Sequence, residues 1–260
     1  VTGVQTCALP IWQNGPLDSY LIEITRDILK VQDPTSGQPL VEMILDKAAQ
    51  KGTGRWTSQS ALDLGVAAPA ITEAVYARCM SAVKEERVHA SAVLPGPSER
   101  WDGPREELID ALHDALYASK VCAYAQGFSL LKAASEQYQW RLNFGDLALL
   151  WRGGCIIRAR FLDRIHAAYS RQADLPNLML DPFFLEVLVA AQSRWRKVLV
   201  VARQCGIPTP AMNACLDYYD AYRQAVLPAN LIQAQRDYFG AHGYERIDQG
   251  GRFHTEWNSF

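Results

Sequence analysis

A short loop that combines glycines with cations is the stretch of this sequence best suited to chemistry. Residues Gln50 to Thr57, QKGTGRWT, hold two glycines, two cations and two hydroxyl groups. Backbone N–H groups and cationic side chains in such a loop can hold an anion. The loop is not a P-loop, because the GxxxxGK[ST] spacing is absent. From these residues alone, phosphate binding and an ordinary solvated turn both remain open.

Other candidate ligand-binding side chains lie on predicted helices. Arg78 precedes Cys79 on one of them, and in isolation we expect it to be a structural cation paired with a carboxylate. Arg236 and His242 lie near the end of a short helix that begins at Pro228, and for His242 alone we expect a solvated surface histidine. No HExxH or other close His/carboxylate spacing predicts a metal site.

Composition excludes several classes of function. The chain has 260 residues and a formal net charge of -2, which gives no global electrostatic reason to bind nucleic acid or an anionic membrane. No apolar run reaches the roughly eighteen residues of a membrane-spanning helix, and the first residues do not resemble a signal peptide. The six cysteines form no CxxC pair, so we expect reduced, buried thiols in a cytosolic protein.

The elements that must position these residues are helices. The segment Phe144 to Tyr169 contains no proline and carries apolar residues around most of a helix circumference, so we expect one long core helix capped by Asp146. Its pair Gly153-Gly154 then requires a second helix packed close to the backbone. Arg152 and Arg158 are expected to be paired structural cations.

Period-3.6 patterns elsewhere complete an all-α prediction, in which a large multi-helix domain is followed by an extended C-terminal tail. No alternating strand pattern and no GxGxxG motif occurs. The type of the short apolar segment Leu40–Leu45 stays open. The predicted helices are Leu17–Val31, Ser58–Leu64, one from Pro69 toward Glu86, Arg105–Trp140 (with a kink at Gly127), Phe183–Gln204, Ala211–Val226 and the short one after Pro228.

Three parts of the chain differ in character. Residues 1–11, VTGVQTCALPI, resemble the translation of a sequencing-adapter read, and we exclude them from fold prediction as a non-native segment, together with Cys7. Residues 12–226 form the helical domain. Residues 227–260 form a C-terminal helix and an aromatic tail without periodicity, which normally needs another surface to lie on; a second subunit is one candidate.

Several long blocks in order resemble the C-terminal helical domain of the decarboxylating 6-phosphogluconate dehydrogenase family. The similarity extends from Trp12 to about Trp257. The blocks are LDSYLIEIT (Leu17–Thr25), QKGTGRWT (Gln50–Thr57), RCMSAVKEER (Arg78–Arg87), YASKVCAYAQG (Tyr117–Gly127), LLWRGGCIIRARFL (Leu149–Leu162) and LPANLIQAQRDYFGAHGYE (Leu227–Glu245).

The resemblance implies an NADP-dependent homodimeric enzyme of the pentose phosphate pathway, which oxidises and decarboxylates 6-phosphogluconate to ribulose 5-phosphate. In that family a dinucleotide-binding domain comes first, and a GxGHFVKMVHNGIEYGD motif with the lysine base and the glutamate acid lies at the junction. We expect this chain to begin after that motif, so it supplies no catalytic residue and leaves NADP mainly to the missing domain. Alone it is expected to be inactive.

The resemblance also implies the substrate-binding residues. The phosphosugar contacts of the family fall on Lys51, Thr53 and Arg78, and on Arg236 and His242, which would reach the partner subunit's site by tail exchange. Gly243 stands where many relatives carry threonine, and the end of the chain is only loosely similar, so the resemblance implies the site residues but not the path of the tail.

Two other interpretations remain. The chain can be a non-catalytic helical module for binding or dimerisation that reuses the fold, or another member of the wider 3-hydroxyacid dehydrogenase group. The reading frame upstream of Trp12 separates the first of these from a truncated enzyme. Nothing in the sequence distinguishes NADP from NAD, because no residue that would touch the adenosine ribose is present.

Overall fold

The computed structural model describes residues 8–259, and within them the prediction of an all-α fold is confirmed. The first helices are α1 (Leu9–Gln13), α2 (Tyr20–Lys30), α3 (Leu40–Met43), α4 (Thr53–Asp63), α5 (Pro69–Ala82) and α6 (Lys84–Val93). The later ones are α7 (Arg105–Gln137), α8 (Phe144–Leu150), α9 (Phe161–Arg171), α10 (Pro182–Gln204), α11 (Pro210–Tyr222) and α12 (Ala229–Gly240). Two strands of two residues each, β1 (Tyr244–Glu245) and β2 (Arg252–Phe253), pair antiparallel.

The core is built on α7, which packs along α10. One face of α7 carries small residues at helical spacing, with Ala111, Ala115 and Ala118 almost fully buried, so a neighbouring helix can approach closely. Phe128 on α7 and Phe184 on α10 are among the largest fully buried side chains. This pair of long helices is the rigid frame of the domain.

The expected single core helix over residues 144–169 is wrong. α8 ends at Leu150 and α9 begins at Phe161, with an irregular segment between them. Residues 158–160 of that segment pair with residues 18–20, since Tyr20 N–H donates to the Arg158 carbonyl and Arg160 N–H to the Asp18 carbonyl. This long-range pairing takes the backbone groups that a continuous helix needs.

The explanation of the glycine pair is wrong for the same reason. Gly153 and Gly154 are exposed, and a Cβ atom at either would meet no atom within 4 Å. Gly154 has φ +67°, a left-handed conformation that glycine adopts without strain. The helix cap is also Asn143, whose side chain accepts from Asp146 N–H at 3.2 Å, rather than Asp146.

The pairing of the two arginines in this segment is confirmed. Arg152 Nη1 lies 2.8 Å from Asp163 Oδ1, and Arg158 Nη2 lies 3.3 Å from Glu23 Oε2. The Arg158 guanidinium also stacks over the ring of Tyr20 at 4.0 Å. Both arginines therefore hold the 151–160 segment against its neighbours.

Smaller differences concern helix ends and cysteines. The predicted helix from Pro69 toward Glu86 is broken at Val83. The Ser81 carbonyl, which in a continuous helix would accept from a backbone N–H of the next turn, accepts from Arg87 Nη2. Buried thiols are confirmed for Cys122 and Cys215, whose pKa values burial raises, that of Cys215 to about 12. Cys79 is exposed, contrary to expectation, and Cys7 lies outside the described residues.

The chain forms two compact units, one ending at Tyr218 and one beginning at Tyr219. The sequence suggested a boundary somewhat later, between Val226 and Leu227. Residues 8–11, which belong to the segment expected to be foreign, are described, and Leu9 in α1 is buried. The origin of residues 1–11 stays a prediction.

Candidate anion-binding site

The KGTG sequence forms the start of α4. Gly52 adopts φ +103° and occupies the N-cap position without a capping side chain, and Thr53 is the first helical residue. The first backbone bond of the helix runs from Trp56 N–H to the Gly52 carbonyl. The N–H groups of Thr53, Gly54 and Arg55 therefore have no acceptor inside the helix. They point, with the positive end of the helix dipole, toward the side of Lys51.

A close contact between α4 and α5 brings Arg78 to this helix start. A Cβ atom on Gly54 would lie 2.9 Å from Val75 Cγ2, so only glycine allows α4 to approach α5 this closely. Arg78 is one turn further along α5 than Val75 and shares its face. Gln50 Nε2 lies 3.8 Å from Cys79 Sγ, which ties the loop to the same turn of α5.

The segment at residues 46–48, just before the loop, is fixed to α5 and α6. Ala48 N–H donates to Ser81 Oγ at 2.9 Å. Asp46 lies 2.6 Å from Lys84 Nζ and 2.9 Å from Arg87 Nη2, and hydrogen bonds from these two cations lower the pKa of its carboxyl group to about 2. Lys84 and Arg87 thus neutralise the carboxylate of Asp46, the acidic residue that precedes the loop.

Lys51 and Arg78 are exposed cations without a carboxylate. Among the residues that the structure describes, neither side chain makes an ion pair, contrary to the expectation for Arg78 in isolation. Thr53 is exposed beside them. Two cations, a hydroxyl group and free helical N–H groups on one surface can accept a dianion such as a phosphate.

Arg236 and His242 belong to the second compact unit. Both are exposed; Arg236 Nη1 donates to Gln233 Oε1 at 3.1 Å and makes no ion pair within residues 8–259. α12 ends because Ala241 turns into the left-handed conformation (φ +48°), and the His242 ring then lies edge-on to Phe239 at 6.0 Å. Both side chains are thus presented at the C-terminal end of one helix.

A buried carboxylate organises the tail that follows. Asp237 is fully buried, and its Oδ1 accepts hydrogen bonds from Gly243 N–H at 2.9 Å and from His254 Nδ1 at 2.9 Å. Its Oδ2 accepts from Thr255 N–H at 3.0 Å and from Trp257 Nε1 at 2.8 Å. The tail therefore folds back onto α12, and for residues 243–257 the surface that an aromatic tail needs is supplied by a helix of its own chain.

The ionisation of this cluster follows from its contacts. Burial alone would raise the pKa of Asp237, but the hydrogen bonds from His254, Thr255, Trp257 and Gly243 hold it well below its ordinary value. The hydrogen bond to Asp237 in turn raises the pKa of His254 above 6.5. The cluster is most stable as a carboxylate facing an imidazolium.

The predicted site residues thus fall into two groups. Lys51 and Thr53 lie at the start of α4, and Arg78 lies on α5, the helix that contacts Gly54 of α4, all in the first unit. Arg236 and His242 lie six residues apart at the end of α12 in the second unit. Sequence reasoning missed the role of Asp237, because its four partners lie up to twenty residues away without periodicity. It also missed Gly54, although a glycine at a second helical position is a signal of close approach.

Two other site types receive no support from the described part of the chain. Residues 8–259 contain no group of three or more His, Cys, Asp or Glu side chains that could hold a metal ion. No helix within the same residues is long and apolar enough to cross a membrane.

Comparisons with known proteins agree with the resemblance seen in the sequence. The family model "6-phosphogluconate dehydrogenase, C-terminal domain" matches residues 8–257. The NADP(+)-dependent, decarboxylating 6-phosphogluconate dehydrogenase of Bacillus subtilis (strain 168) is 58% identical over 247 residues, covering 95% of this chain and 53% of that protein. The decarboxylating enzyme of Escherichia coli (strain K12) is 55% identical over 246 residues, covering 95% of this chain and 52% of that protein.

A solved structure gives the same result for the fold. Plasmodium falciparum 6-phosphogluconate dehydrogenase, described in its apo form and in complex with NADP+ and 6-phosphogluconate, superposes with a TM-score of 0.92 at 42% identity. The alignment covers 96% of this chain and 54% of that one. This chain spans about half the length of the relatives it matches. It belongs to the 6-phosphogluconate dehydrogenase family, and its matched region is the helical C-terminal domain of that family.

Proposed function

We propose that this chain is the helical part of an NADP-dependent, decarboxylating 6-phosphogluconate dehydrogenase, and that Lys51, Thr53 and Arg78 bind the phosphate of 6-phosphogluconate. The observation that carries this proposal is the pair of cations without carboxylate partners beside the free N–H groups of α4. Two of the matched relatives carry NADP in their names or titles, and one was studied with 6-phosphogluconate.

The division of labour follows from the residue types. A sugar phosphate dianion is best held by guanidinium, ammonium and hydroxyl groups, which Arg78, Lys51 and Thr53 supply. These groups do not transfer protons at the reacting carbons; they fix the substrate so that its hydroxyl and carboxylate ends meet other groups in a fixed geometry. NADP+, when bound, accepts the hydride.

The described residues contain no dinucleotide-binding fold. Its sequence has no GxGxxG motif, and residues 8–259 contain no strand longer than two residues, so no βαβ unit is present among them. We assign NADP binding and the acid/base pair to the part of the longer relatives that this chain does not span. The purified 260-residue chain should therefore form no NADPH from 6-phosphogluconate, and measurable formation would contradict this assignment.

The binding role is tested in a chimeric enzyme, in which the remaining part of the Bacillus subtilis relative precedes residues 12–260 of this chain. Lys51→Met should raise KM for 6-phosphogluconate about ten- to a hundredfold, the loss expected for one charge-assisted hydrogen bond, and leave KM for NADP+ nearly unchanged. Lys132→Met is the matched control, since Lys132 is solvent-accessible and donates only to the Asp174 carbonyl. Equal KM values for the two variants would refute the phosphate role of Lys51.

The proposal extends to a homodimer that exchanges tails, with Arg236 and His242 completing the partner's site. It is supported by the exposure of both side chains and by the absence of an ion pair for Arg236 in the described chain. A chimera with Arg236→Ala, mixed with one carrying Lys51→Ala, tests the sharing. Each heterodimer then has one site with both lesions and one intact site, so up to about half of the wild-type activity should return. No recovery despite proven subunit exchange would place Arg236 in its own subunit's site.

A further inference from the structure

The fold of the tail depends on one side chain that no substrate needs to touch. Asp237 follows Arg236 in α12, and its carboxylate holds the chain at residues 243, 254, 255 and 257. One of those contacts, to Gly243 N–H, is made by the residue directly after His242. Arg236 is therefore the sequence neighbour of Asp237, and His242 is the sequence neighbour of Gly243, one of its four hydrogen-bond donors.

The chain reverses direction between the two side chains. After α12 ends, Ala241 and Gly243 both have positive φ, with values of +48° and +70°. Other contacts at the turn include the hydrogen bonds from Gln233 Nε2 to the Gly243 carbonyl and from Arg252 Nη2 to the His242 carbonyl, and the bond from Ala241 N–H to the Asp237 carbonyl that closes the helix. The two side-chain bonds hold the backbone from outside, whereas the carboxylate of Asp237 holds it from the buried side.

We propose that Asp237 is a positioning residue that sets the direction in which Arg236 and His242 are presented to the phosphosugar. This inference rests on the proposed function of those two side chains. Asp237 itself is fully buried and does not touch the substrate. Its action is to convert a flexible turn into a rigid one, so that binding does not have to order the turn.

The hydrogen-bond pattern makes the proposal specific to a carboxylate. Each oxygen of Asp237 accepts two donors, with Gly243 N–H and His254 on Oδ1, and Thr255 N–H and Trp257 on Oδ2. Asparagine has the same shape, but its NH2 group must face one of these donor pairs in either orientation. Asp237→Asn therefore removes two acceptor contacts and places donors against donors.

The experiment compares three single variants of the chimeric enzyme, Asp237→Asn, Trp257→Phe and Asp248→Asn. Asp248 is an exposed carboxylate paired only with Arg246, so it is the matched control. We expect Asp237→Asn to raise KM for 6-phosphogluconate about tenfold or more with kcat and the NADP+ KM nearly unchanged. Trp257→Phe, which removes one of four donors, should give a smaller rise, and Asp248→Asn none.

A second readout reports the tail directly. Amide hydrogen exchange at Gly243 and Thr255 should become faster in Asp237→Asn and stay unchanged in Asp248→Asn. If Asp237→Asn loosens the tail but leaves KM unchanged, or lowers kcat alone, the positioning role is overturned. In that case a raised KM in Arg236→Ala still supports the proposed function of the tail. If Arg236→Ala also leaves KM unchanged, the proposed function of the tail fails, and the positioning role fails with it.

Discussion

The glycine pair between α8 and α9 gives a prediction that separates a backbone explanation from a packing explanation, because only the packing explanation makes the cost depend on the size of the new side chain. Gly154 has φ +67° and no neighbour within 4 Å of a built Cβ, so the cost of a side chain there comes from the backbone and not from packing. A left-handed L-residue costs about 1–2 kcal/mol, and the reduced entropy of the unfolded chain returns about 0.4–1 kcal/mol. Gly154→Ala should therefore lower the free energy of unfolding by about 1 kcal/mol.

The size of the side chain should then have little effect. Gly154→Leu should match Gly154→Ala to within about 0.5 kcal/mol, because the position is exposed. Gly153→Ala is the matched control: Gly153 has no positive φ and open space around it, so the change should be neutral or stabilise by up to about 1 kcal/mol.

Urea denaturation followed by far-ultraviolet circular dichroism measures these differences through the transition midpoint. A cost for Gly154→Leu that exceeds that of Gly154→Ala by about 2 kcal/mol would show overpacking. That result would restore a helix packed against the glycine pair and refute the break between α8 and α9.

Three further predictions concern the other contacts that hold the sites. Gly54→Ala should destabilise the protein by up to about 2 kcal/mol, because overpacking against Val75 outweighs the gain in helix propensity. In a Val75→Ala background the same substitution should carry no such cost. If the free-energy changes of the two substitutions simply add, the close contact is contradicted. Asp181→Ala should lower the free energy of unfolding by about 1–3 kcal/mol, because it removes the cap of α10 and the ion pair with Arg171. Asp181→Asn keeps the cap, so urea denaturation should show about half of that loss. The hydrogen bond to Asp237 raises the pKa of His254. The contribution of His254 to the stability of the tail is therefore complete below the pKa of the unfolded state and is lost as the pH rises through the pKa of the folded state. Amide hydrogen exchange in the tail, corrected for intrinsic rates, should become faster over that pH range, and His254→Gln should abolish this pH dependence.

The sequence predicted the helices well wherever a single apolar periodicity decides the structure. α7 and α10 were located with ends within a few residues, because their buried faces repeat every turn, proline marks both starts, and Gly206 marks the end of α10. The candidate anion site was proposed from Lys51, Gly52 and Thr53, which are consecutive, but the sequence placed the helix start at Ser58 and the structure places it at Thr53.

The two largest errors concern contacts between residues distant in sequence. The apolar pattern over residues 144–169 is compatible with one helix, and only the pairing of residues 158–160 with residues 18–20 breaks it. The tail has no periodicity, and its fold is fixed by one buried carboxylate, Asp237, that looks like any other charged residue of an amphipathic helix. Local propensity contains no information about either contact.

The central claim, that Arg78 and Lys51 recognise a phosphate, is tested most directly by a comparison of two substrates. In the chimeric enzyme, kcat/KM is measured for 6-phosphogluconate and for gluconate, which lacks the phosphate, with Arg78→Met and with the control Arg203→Met, an exposed arginine on α10. If Arg78 binds the phosphate, its loss should reduce the preference for 6-phosphogluconate about ten- to a hundredfold and leave the rate with gluconate nearly unchanged. A parallel fall with both substrates, or an unchanged preference, would contradict the claim.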